Sequence, residues 1–399
     1  MQSKYDIVVV GAGPAGLSAA YSAAKNGASV LVLERDDGIA HNVRTSGVSW
    51  IEEMAKFGIG QEHYNSIKNY AFFSPSNDVT VSGSEAKCCV LNVRSTYQHL
   101  AFEAASVGAK IMIKANATNV IVTNNRISGV KFSTPKGEFS INADLVIDAS
   151  GFSTIIGRKA GFVSEWKRYG VGAEYECYAE NVDYETWMLM VGNQYSPAGY
   201  AWIFPLGKNR VRIGVGIGRP ESNEEPLDRL NAMLEKKPRP LDRMGKIEPV
   251  ELHYGFIPNE GVRASTVADG FMLVGDSAGQ ANPLVLEGIR YAMEFGRLAG
   301  DIGSKALQYG ASKQSLLEYE QVWRSKVQSK IAAALKVQSR WLDLTDEQWD
   351  REIEIIKDMS IDEFLDFIRA DFSMSKMLKL ALHHPKTAAR QLFNMVLKS

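Results

Sequence analysis

The stretch YDIVVVGAGPAGLSAAYSAAKNGASVLVLE, residues 5–34, decides the fold class. It begins with a run of largely β-branched residues, Tyr5–Val10, that predicts a buried parallel strand. A glycine-rich turn, Gly11–Gly16, follows and opens an alanine-rich helix predicted for residues 17–26. The apolar run ASVLVL then predicts a second strand, which Glu34 ends. This order of strand, glycine turn, helix, strand and acid predicts a βαβ unit that binds the ADP part of a cofactor.

Each glycine of this unit, its helix N-terminus and its final acid have separate physical roles. Gly11 permits the tight turn, Gly13 lets the backbone approach a pyrophosphate, and Gly16 lets the helix pack on the strand. The helix N-terminus offers free N–H groups and the positive end of its dipole to a phosphate. Glu34 is placed to accept hydrogen bonds from ribose hydroxyls. The motif alone does not distinguish FAD from NAD.

Two later segments favour FAD. Residues 144–154, DLVIDASGFST, predict a strand followed by a turn that contains Asp148 and Gly151. Residues 270–300 predict a strand, then Asp276, a loop and a helix. This arrangement resembles the glutathione-reductase-type FAD fold, in the branch that holds aromatic hydroxylases and geranylgeranyl reductases. The resemblance implies that the last helix directs its N-terminus at the N1–C2 carbonyl edge of the flavin, where reduced flavin carries negative charge.

The resemblance also matches the family's arginine after the third strand to Arg94, although an ordinary surface arginine is the alternative, as a helix cap is for Asp276. The predicted cofactor-binding residues are Gly11, Gly13, Pro14, Ala15, Gly16, Glu34, Arg35, Arg44, Arg94, Asp148, Gly151, Gly275, Asp276, Pro283, Gly288 and Ile289. The sequence contains no second glycine fingerprint with an acid, so we predict no separate NAD(P)H domain. We expect the reductant to come from outside, as NAD(P)H, ferredoxin or a similar carrier.

The middle of the chain predicts a second, antiparallel sheet. Short strands are expected at residues 171–179, 186–192, 199–205 and 210–218, with a hairpin turn at LGKN between the last two. Because residues two apart on a strand share a face, Tyr200, Trp202 and Phe204 should form one aromatic wall. The wall is either an ordinary core face or the lining of a binding site.

The full string PAGYAWIFP, residues 197–205, resembles the PxxYxWxFP pattern of geranylgeranyl reductases. That resemblance implies that Tyr200, Trp202 and Phe204 bind an isoprenoid chain, which has no charge and must be held by apolar contact. A halogenase pattern, GWxWxIP, matches Gly199, Trp202 and Pro205 but not the other two aromatic residues.

Two segments depart from the family. Archaeal geranylgeranyl reductases usually carry an Arg-Cys-Gly element beside the flavin, whereas here the cysteine is absent and Thr45 or Ser46 lies near its place. Before the last helix, Glu287 replaces a usual run of glycines. Glu287 is either a proton donor in an apolar pocket or an acid that favours the helix dipole. The candidate catalytic residues are Tyr200, Glu287, Thr45 and Ser46.

Composition narrows the class of protein. The chain has 399 residues, 45% of them hydrophobic and 23% charged, with a formal net charge of −1. This profile predicts a soluble globular protein with no nucleic-acid partner. The three cysteines show no metal-binding spacing and indicate a reducing cytosol.

Residues 341–372 are strongly acidic, whereas residues 374–399 are basic and amphipathic. This tail either packs on the acidic helices or contacts an anionic membrane as a peripheral anchor.

We predict an α/β protein with a Rossmann-like FAD-binding domain, an antiparallel-sheet substrate domain and a helical C-terminal region. The predicted boundaries are residues 1–65, 86–170 and 262–315 for the first, 66–85 and 171–261 for the second, and 316–399 for the third.

The predicted activity is saturation of C=C bonds in polyprenyl chains of archaeal-type ether lipids, by hydride transfer from N5 of reduced flavin. One alternative is a monooxygenase or halogenase of the same fold, although we can place no halogenase lysine. The other is an electron-transfer flavoprotein, but three cysteines cannot form the four-thiolate iron–sulfur site of the related quinone oxidoreductases.

Overall fold

The computed structural model of the protein describes residues 3–371 and residue 376. The strands are β1 Lys4–Val10, β2 Val30–Leu33, β3 Val48–Trp50, β4 Tyr64–Ile67, β5 Asn69–Phe73, β6 Asp78–Ser82, β7 Cys88–Leu91, β8 Lys110–Met112, β9 Asn116–Thr123, β10 Arg126–Thr134, β11 Gly137–Asp148, β12 Tyr169–Ala179, β13 Thr186–Val191, β14 Gly199–Gly207, β15 Arg210–Arg219, β16 Ile247–Pro258, β17 Val267–Ala268 and β18 Phe271–Leu273. The α-helices are α1 Pro14–Lys25, α2 Ile51–Lys56, α3 Val93–Ser106, α4 Ile155–Lys159, α5 Pro226–Lys236, α6 Ile289–Ala306, α7 Lys313–Leu342, α8 Asp346–Lys357 and α9 Ile361–Ile368.

The first sheet forms the nucleotide-binding half of the fold. Its core order is β17-β18-β11-β1-β2-β8, and β9 and β10 extend from the long strand β11. Strand β1 runs parallel to both β2 and β11, which explains why its apolar residues form a continuous run that is buried on both faces. The predicted strand–turn–helix–strand unit is therefore confirmed, and the carboxyl ends of β1, β11 and β18 meet at one edge.

Helices α1 and α6 pack closely on the same face of this sheet. A Cβ atom on Gly296 would lie 2.4 Å from the carbonyl oxygen of Ala15, and one on Gly300 would lie 2.2 Å from that of Ala19. Because both glycines lie on α6 and meet the backbone of α1, the helices approach more closely than larger side chains would allow. This contact places the N-terminus of α6 beside the glycine turn.

The second sheet has the order β16-β12-β15-β14-β13-β5-β6. The four predicted strands in the middle of the chain are present, and Lys208 and Asn209 form the predicted hairpin turn with positive φ angles of 51° and 61°. The predicted antiparallel pairing of these four strands is confirmed, whereas β5, which comes from the earlier segment of the same predicted domain, runs parallel to β13. β5 comes from a separate, earlier segment of the chain, so its direction is not set by a hairpin. A small third sheet, β3-β7-β4, was not predicted.

The helices that follow α6 cover both halves of the molecule. Along α7, Tyr319 donates a hydrogen bond to the carbonyl oxygen of Leu273 at 2.9 Å, which fixes this helix to the first sheet. Helices α8 and α9 pack with the second sheet in one hydrophobic cluster that contains Trp202 and Phe364. The predicted helical C-terminal region is confirmed as far as Ile368.

The basic tail predicted at residues 374–399 lies outside the described residues, apart from Lys376. The Nζ atom of Lys376 lies 2.7 Å from Asp366 and 2.6 Å from Asp371. At this position the basic segment therefore contacts the acidic segment before it. No helix among the described residues is long and apolar enough to span a bilayer.

Candidate active site

The glycine turn has the geometry that its sequence predicts. Gly11 has a φ angle of 102°, and a Cβ atom there would lie 2.4 Å from the carbonyl oxygen of Ala149. A Cβ atom on Gly16 would lie 1.9 Å from the carbonyl oxygen of Gly11. In contrast, no heavy atom lies within 4 Å of a Cβ position on Gly13, which caps α1. Two of the three glycines are thus required by the protein itself, whereas the third faces open space at a helix N-terminus. Pro14 and Ala15 are the first two residues of that helix.

Glu34 lies beside the turn and stabilises it. Its carboxylate accepts hydrogen bonds from the backbone N–H groups of Ala12 and Asp36, both at 2.9 Å. Arg44 makes a bidentate ion pair with Asp36, with distances of 2.7 and 3.1 Å. Burial raises the pKa of Asp36 and the Arg44 guanidinium lowers it, with a net downward shift. Arg35 is exposed, with its Nε atom 3.9 Å from Asp36.

Asp276 lies between the last strand of the first sheet and α6. Gly275 before it has a φ angle of 70°, and a Cβ atom on Gly288, the N-cap of α6, would lie 3.1 Å from the Asp276 Oδ1 atom. Ile289 is the first residue of the helix. Among residues 3–371, no side chain or backbone group donates a hydrogen bond to the Asp276 carboxylate. The structure therefore places an unsatisfied acid beside the N-terminus of α6, next to the glycine turn.

This carboxyl group gives a pH prediction for the cofactor-free protein. Burial raises the pKa of Asp276 from 3.8 to about 6. Between pH 3.8 and about pH 6 the folded protein keeps a proton that the unfolded chain has lost. The free energy of unfolding therefore falls as pH rises through this range, by up to about 3 kcal/mol. Replacing Asp276 with asparagine removes this loss. We expect the variant's stability advantage to grow between pH 4 and pH 7 in urea titrations, and an advantage that stays constant would contradict the assignment.

Asp148, another predicted cofactor residue, makes internal contacts. The Asp148 carboxylate accepts hydrogen bonds from Ser150 N and Oγ and from the N–H groups of Ile156 and Gly157, at 2.5 to 3.1 Å. These four bonds fill its acceptor capacity, so Asp148 holds the turn around Gly151 and we no longer assign it a direct contact with the cofactor. Gly151 has a φ angle of 67° and open space around it.

Arg94 and Pro283 connect the predicted cofactor segments to other elements. Arg94 donates hydrogen bonds to the carbonyl oxygens of Ala40 and His41 and to Glu251 of β16. It therefore joins the loop after Glu34 to the second sheet. The carbonyl oxygen of Pro283 accepts a 2.6 Å hydrogen bond from a glutamine of α7.

The aromatic residues of β14 share one face, as predicted. Ring centroids are 5.8 Å apart between Tyr200 and Trp202, and 6.1 Å apart between Trp202 and Phe204. The Trp202 indole lies over glycines of β15 and of β12 beyond it. A Cβ atom on Gly214 would lie 2.3 Å from its Cζ2 atom, and one on Gly172 would lie 3.3 Å from its Cη2 atom. The glycines leave the room that the flat indole occupies.

A cavity of about 230 Å³, the main cavity, lies between this wall and the C-terminal helices. The loop Arg44–Ser46, beside the predicted cofactor, forms one part of its lining. The lining from the helices is largely apolar and consists of Trp341, Leu342, Trp349, Ile353, Ile355, Ile356, Phe364, Phe367 and Ile368, together with Gln338 and Glu352. Among the described residues, no lysine lines the main cavity.

A smaller space of about 80 Å³, the inner cavity, adjoins the main cavity. It brings together the four predicted catalytic residues, Thr45, Ser46, Tyr200 and Glu287. Gly288 and Ile289 of the predicted cofactor site line the same space. Residues from distant parts of the sequence thus meet beside the N-terminus of α6, although their catalytic roles stay predictions.

The polar contacts in the inner cavity distinguish these candidates. Tyr200 donates a 2.7 Å hydrogen bond to the carbonyl oxygen of Val285, and burial raises the pKa of its phenol. The Glu287 Oε2 atom pairs with the Nε atom of Arg290 at 2.8 Å, while its buried Oε1 atom has no partner among the described residues.

Several residues of the site carry no sequence motif and were not predicted. Cys88 lines the inner cavity, and burial raises the pKa of its thiol to about 12. Glu174 and His253 line the main cavity, and Arg212 is buried beside them. The signal that could have indicated them is the alternation of charged and small residues on β12, β15 and β16. A charged residue on a strand face that otherwise carries glycine and aromatic residues is usually buried and paired.

These observations fit FAD. The open space at Gly13 and the N-terminus of α1 suit a pyrophosphate. Glu34 lies at the end of β2, where a ribose is expected. The unsatisfied Asp276 and the N-terminus of α6 lie where the sequence analysis places the rest of the cofactor. The chain's own donors and acceptors therefore match both ends of an FAD molecule.

Comparisons with known proteins support an FAD-dependent protein. The family described as FAD dependent oxidoreductase matches residues 6–265. Digeranylgeranylglycerophospholipid reductase 2 of Methanococcoides burtonii is 32% identical over 397 residues, covering 95% of each chain. The digeranylgeranylglycerophospholipid reductase of Methanocaldococcus jannaschii is 33% identical over 360 residues, covering 88% of this chain and 90% of the relative.

Solved structures give the same result. The crystal structure of a geranylgeranyl bacteriochlorophyll reductase-like protein from Thermoplasma acidophilum matches with a TM-score of 0.86 and 25% identity, covering 97% of this chain and 98% of the other. A flavin-dependent brominase matches with a TM-score of 0.70 and 18% identity over 97% and 99% of the two chains, which shows a shared fold alone. The chain is therefore an FAD-dependent oxidoreductase and belongs to the geranylgeranyl reductase family, with the digeranylgeranylglycerophospholipid reductases.

Proposed function

We propose that this enzyme saturates C=C bonds of polyprenyl chains, of the geranylgeranyl type found in archaeal ether lipids. The observation that carries the proposal is the main cavity, which has an aromatic wall on one side and apolar helices on the other. Residues 44–46 of the loop Arg44–Gly47, called the cofactor loop, form part of its lining. A hydrocarbon chain offers no charge or hydrogen bond for recognition, so an apolar cavity of this kind is what its binding requires. The names of the curated relatives support the same substrate class.

Within this proposal, the residues at the glycine turn, Glu34 and Asp276 hold FAD, which in its reduced form supplies a hydride. The aromatic wall, with Trp202 at its centre, orients the alkene, and α8 and α9 exclude water from it. Orientation and dryness are the main contributions that a protein makes to such a transfer. A proton must reach the second carbon, and we propose Tyr200, Thr45 and Ser46 as its sources and Glu287 as a group that replenishes it.

The electron donor, the location and the domain division are further parts of the proposal. We propose that electrons arrive from NAD(P)H or from a ferredoxin-like protein, because the sequence has one glycine fingerprint. We propose a cytoplasmic location, because the three cysteines are free thiols. Peripheral membrane contact is the alternative, because lipid substrates reside in membranes. The division into three domains, with the boundaries given above, also remains a proposal.

Membrane contact is testable separately. If the basic tail binds the membrane surface, removing residues 374–399 should lower the fraction of protein that sediments with anionic liposomes. Since Lys376 already pairs with Asp366 and Asp371, we favour packing over membrane contact and expect equal binding by both forms. A clear loss of binding on truncation would instead assign the tail to the membrane.

The substrate class is tested by comparing two kinds of electron acceptor. The reduced protein is mixed without oxygen with a geranylgeranyl lipid or with a small aromatic compound, and flavin absorbance is followed. We expect reoxidation by the prenyl lipid alone. The alternative, a monooxygenase or halogenase, predicts no anaerobic reoxidation and rapid NAD(P)H consumption in air that the aromatic compound stimulates.

A further inference from the structure

A buried ion pair lies between the aromatic wall and the cofactor loop. Arg212 of β15 and Glu174 of β12 are 2% and 3% exposed, and the Arg212 Nε atom lies 3.5 Å from the Glu174 Oε1 atom. The Arg212 Nη2 atom lies 3.6 Å from Glu176. Charges this deeply buried are destabilising unless they are paired and hydrogen-bonded, so each further contact of the pair helps to stabilise it.

The two ends of the pair reach different halves of the site. On one side, the Arg212 Nη1 atom donates hydrogen bonds to the carbonyl oxygens of Ser46 and Leu91, at 2.8 and 3.0 Å. On the other side, the Trp202 Nε1 atom donates a 2.7 Å hydrogen bond to the Glu174 Oε2 atom. A single ion pair therefore connects the backbone of the cofactor loop to the indole at the centre of the wall.

Gly47 and His253 confirm how closely the pair is enclosed. Gly47 has a φ angle of 80°, and a Cβ atom there would lie 3.1 Å from the Arg212 Nη1 atom, so the guanidinium occupies the space beneath the loop. The His253 Nδ1 atom lies 3.0 Å from the Glu174 Oε1 atom. Glu174 is thus held by a ring nitrogen, an indole and a guanidinium, and it has little freedom to move.

We propose that Arg212 and Glu174 are positioning residues that fix the loop Arg44–Gly47 relative to Trp202, and so set the alignment of the alkene with the cofactor. This inference rests on the proposed function. Neither residue needs to touch the reacting atoms, so the pair acts on the geometry of the site. A misplacement of about 1 Å is enough to slow a transfer by about 100-fold.

The test uses the full-length, FAD-loaded protein with Arg212→Lys, which keeps the buried positive charge but cannot donate to both carbonyl oxygens while it pairs with Glu174. The matched control is Arg210→Lys. Arg210 lies on the same strand and pairs with Glu176 at 2.6 Å, but it is exposed and makes no hydrogen bond to the cofactor loop. Three quantities are measured: flavin reoxidation by a geranylgeranyl lipid, flavin reoxidation by ferricyanide, and amide hydrogen exchange of residues 45–48.

We expect Arg212→Lys to slow reoxidation by the lipid at least ~10-fold, with ferricyanide reoxidation within about twofold of wild type, and Arg210→Lys to change neither. Equal loss of both rates in Arg212→Lys would mean a general structural role and would overturn the proposal, as would an unchanged lipid rate. If the wild type itself fails to react with any prenyl lipid, the proposed function fails. Hydrogen exchange then decides the positioning role: faster exchange of residues 45–48 in Arg212→Lys alone supports it, and equal exchange in both variants overturns it.

Discussion

Replacing Gly13 with alanine should lower the affinity for FAD at least ~100-fold, or about 2.7 kcal/mol, while the cofactor-free protein stays as stable as wild type. The reason lies in the open space around this residue. Among the described residues, no heavy atom beyond Gly13 and its two chain neighbours lies within 4 Å of a Cβ position there, and the backbone angles, φ −77° and ψ −177°, suit any residue. The new methyl group would therefore meet only the cofactor, where a pyrophosphate approaches the turn.

Two further variants serve as controls for this prediction. Gly16→Ala should damage the fold itself, because its Cβ atom would lie 1.9 Å from a backbone oxygen. Gly38→Ala, which also has open space, lies outside the turn and should change neither property. FAD affinity is measured by titrating the apoprotein and stability by urea denaturation. Normal FAD binding by Gly13→Ala would show that the cofactor does not lie on this turn.

Replacing Gly214 with alanine should lower the rate of alkene reduction at least ~10-fold without releasing FAD, since a small displacement at the reacting centre is costly. Its Cβ atom would lie 2.3 Å from the Trp202 indole, so the ring must move out of its place in the wall. We expect a loss of stability of about 1–3 kcal/mol from this overpacking. The measurement is single-turnover flavin reoxidation by a prenyl lipid.

Gly172→Ala is the matched control, because a Cβ atom there would meet the same indole at a longer distance. Its Cβ atom would lie 3.3 Å from the ring, a distance that a slight shift accommodates. We expect its rate to stay within about threefold of wild type, which corresponds to less than 1 kcal/mol. Equal effects of the two substitutions would indicate that the position of the indole does not control the reaction.

The nucleotide-binding half of the fold was predictable because its signals are local. A βαβ unit with a glycine turn fits within residues 5–34, and Gly11 and Gly16 have steric reasons within the protein that the sequence spacing already implies. The direction of β5 could not be predicted in the same way. It pairs with β13, more than 100 residues later in the chain, so no turn sequence specifies the pairing.

Site residues that belong to a sequence motif could be predicted, whereas those that only tertiary packing brings together could not. The aromatic alternation on β14 predicted the wall, whereas nothing in the acidic segment after residue 341 indicated that α8 and α9 cover the main cavity. Asp148 illustrates the opposite case. It matched the family's pattern, but its four internal hydrogen bonds assign it to the turn and not to the cofactor.

The central claim is that this FAD-dependent oxidoreductase reduces C=C bonds of a chain held in the main cavity. The most direct measurement is mass spectrometry of digeranylgeranylglyceryl phospholipid after anaerobic incubation with the dithionite-reduced protein. The predicted result is a series of mass gains in units of two hydrogen atoms, greatly diminished with Gly214→Ala. Unchanged lipid mass with this and every other prenyl substrate, in a protein that binds and reduces FAD normally, would contradict the account.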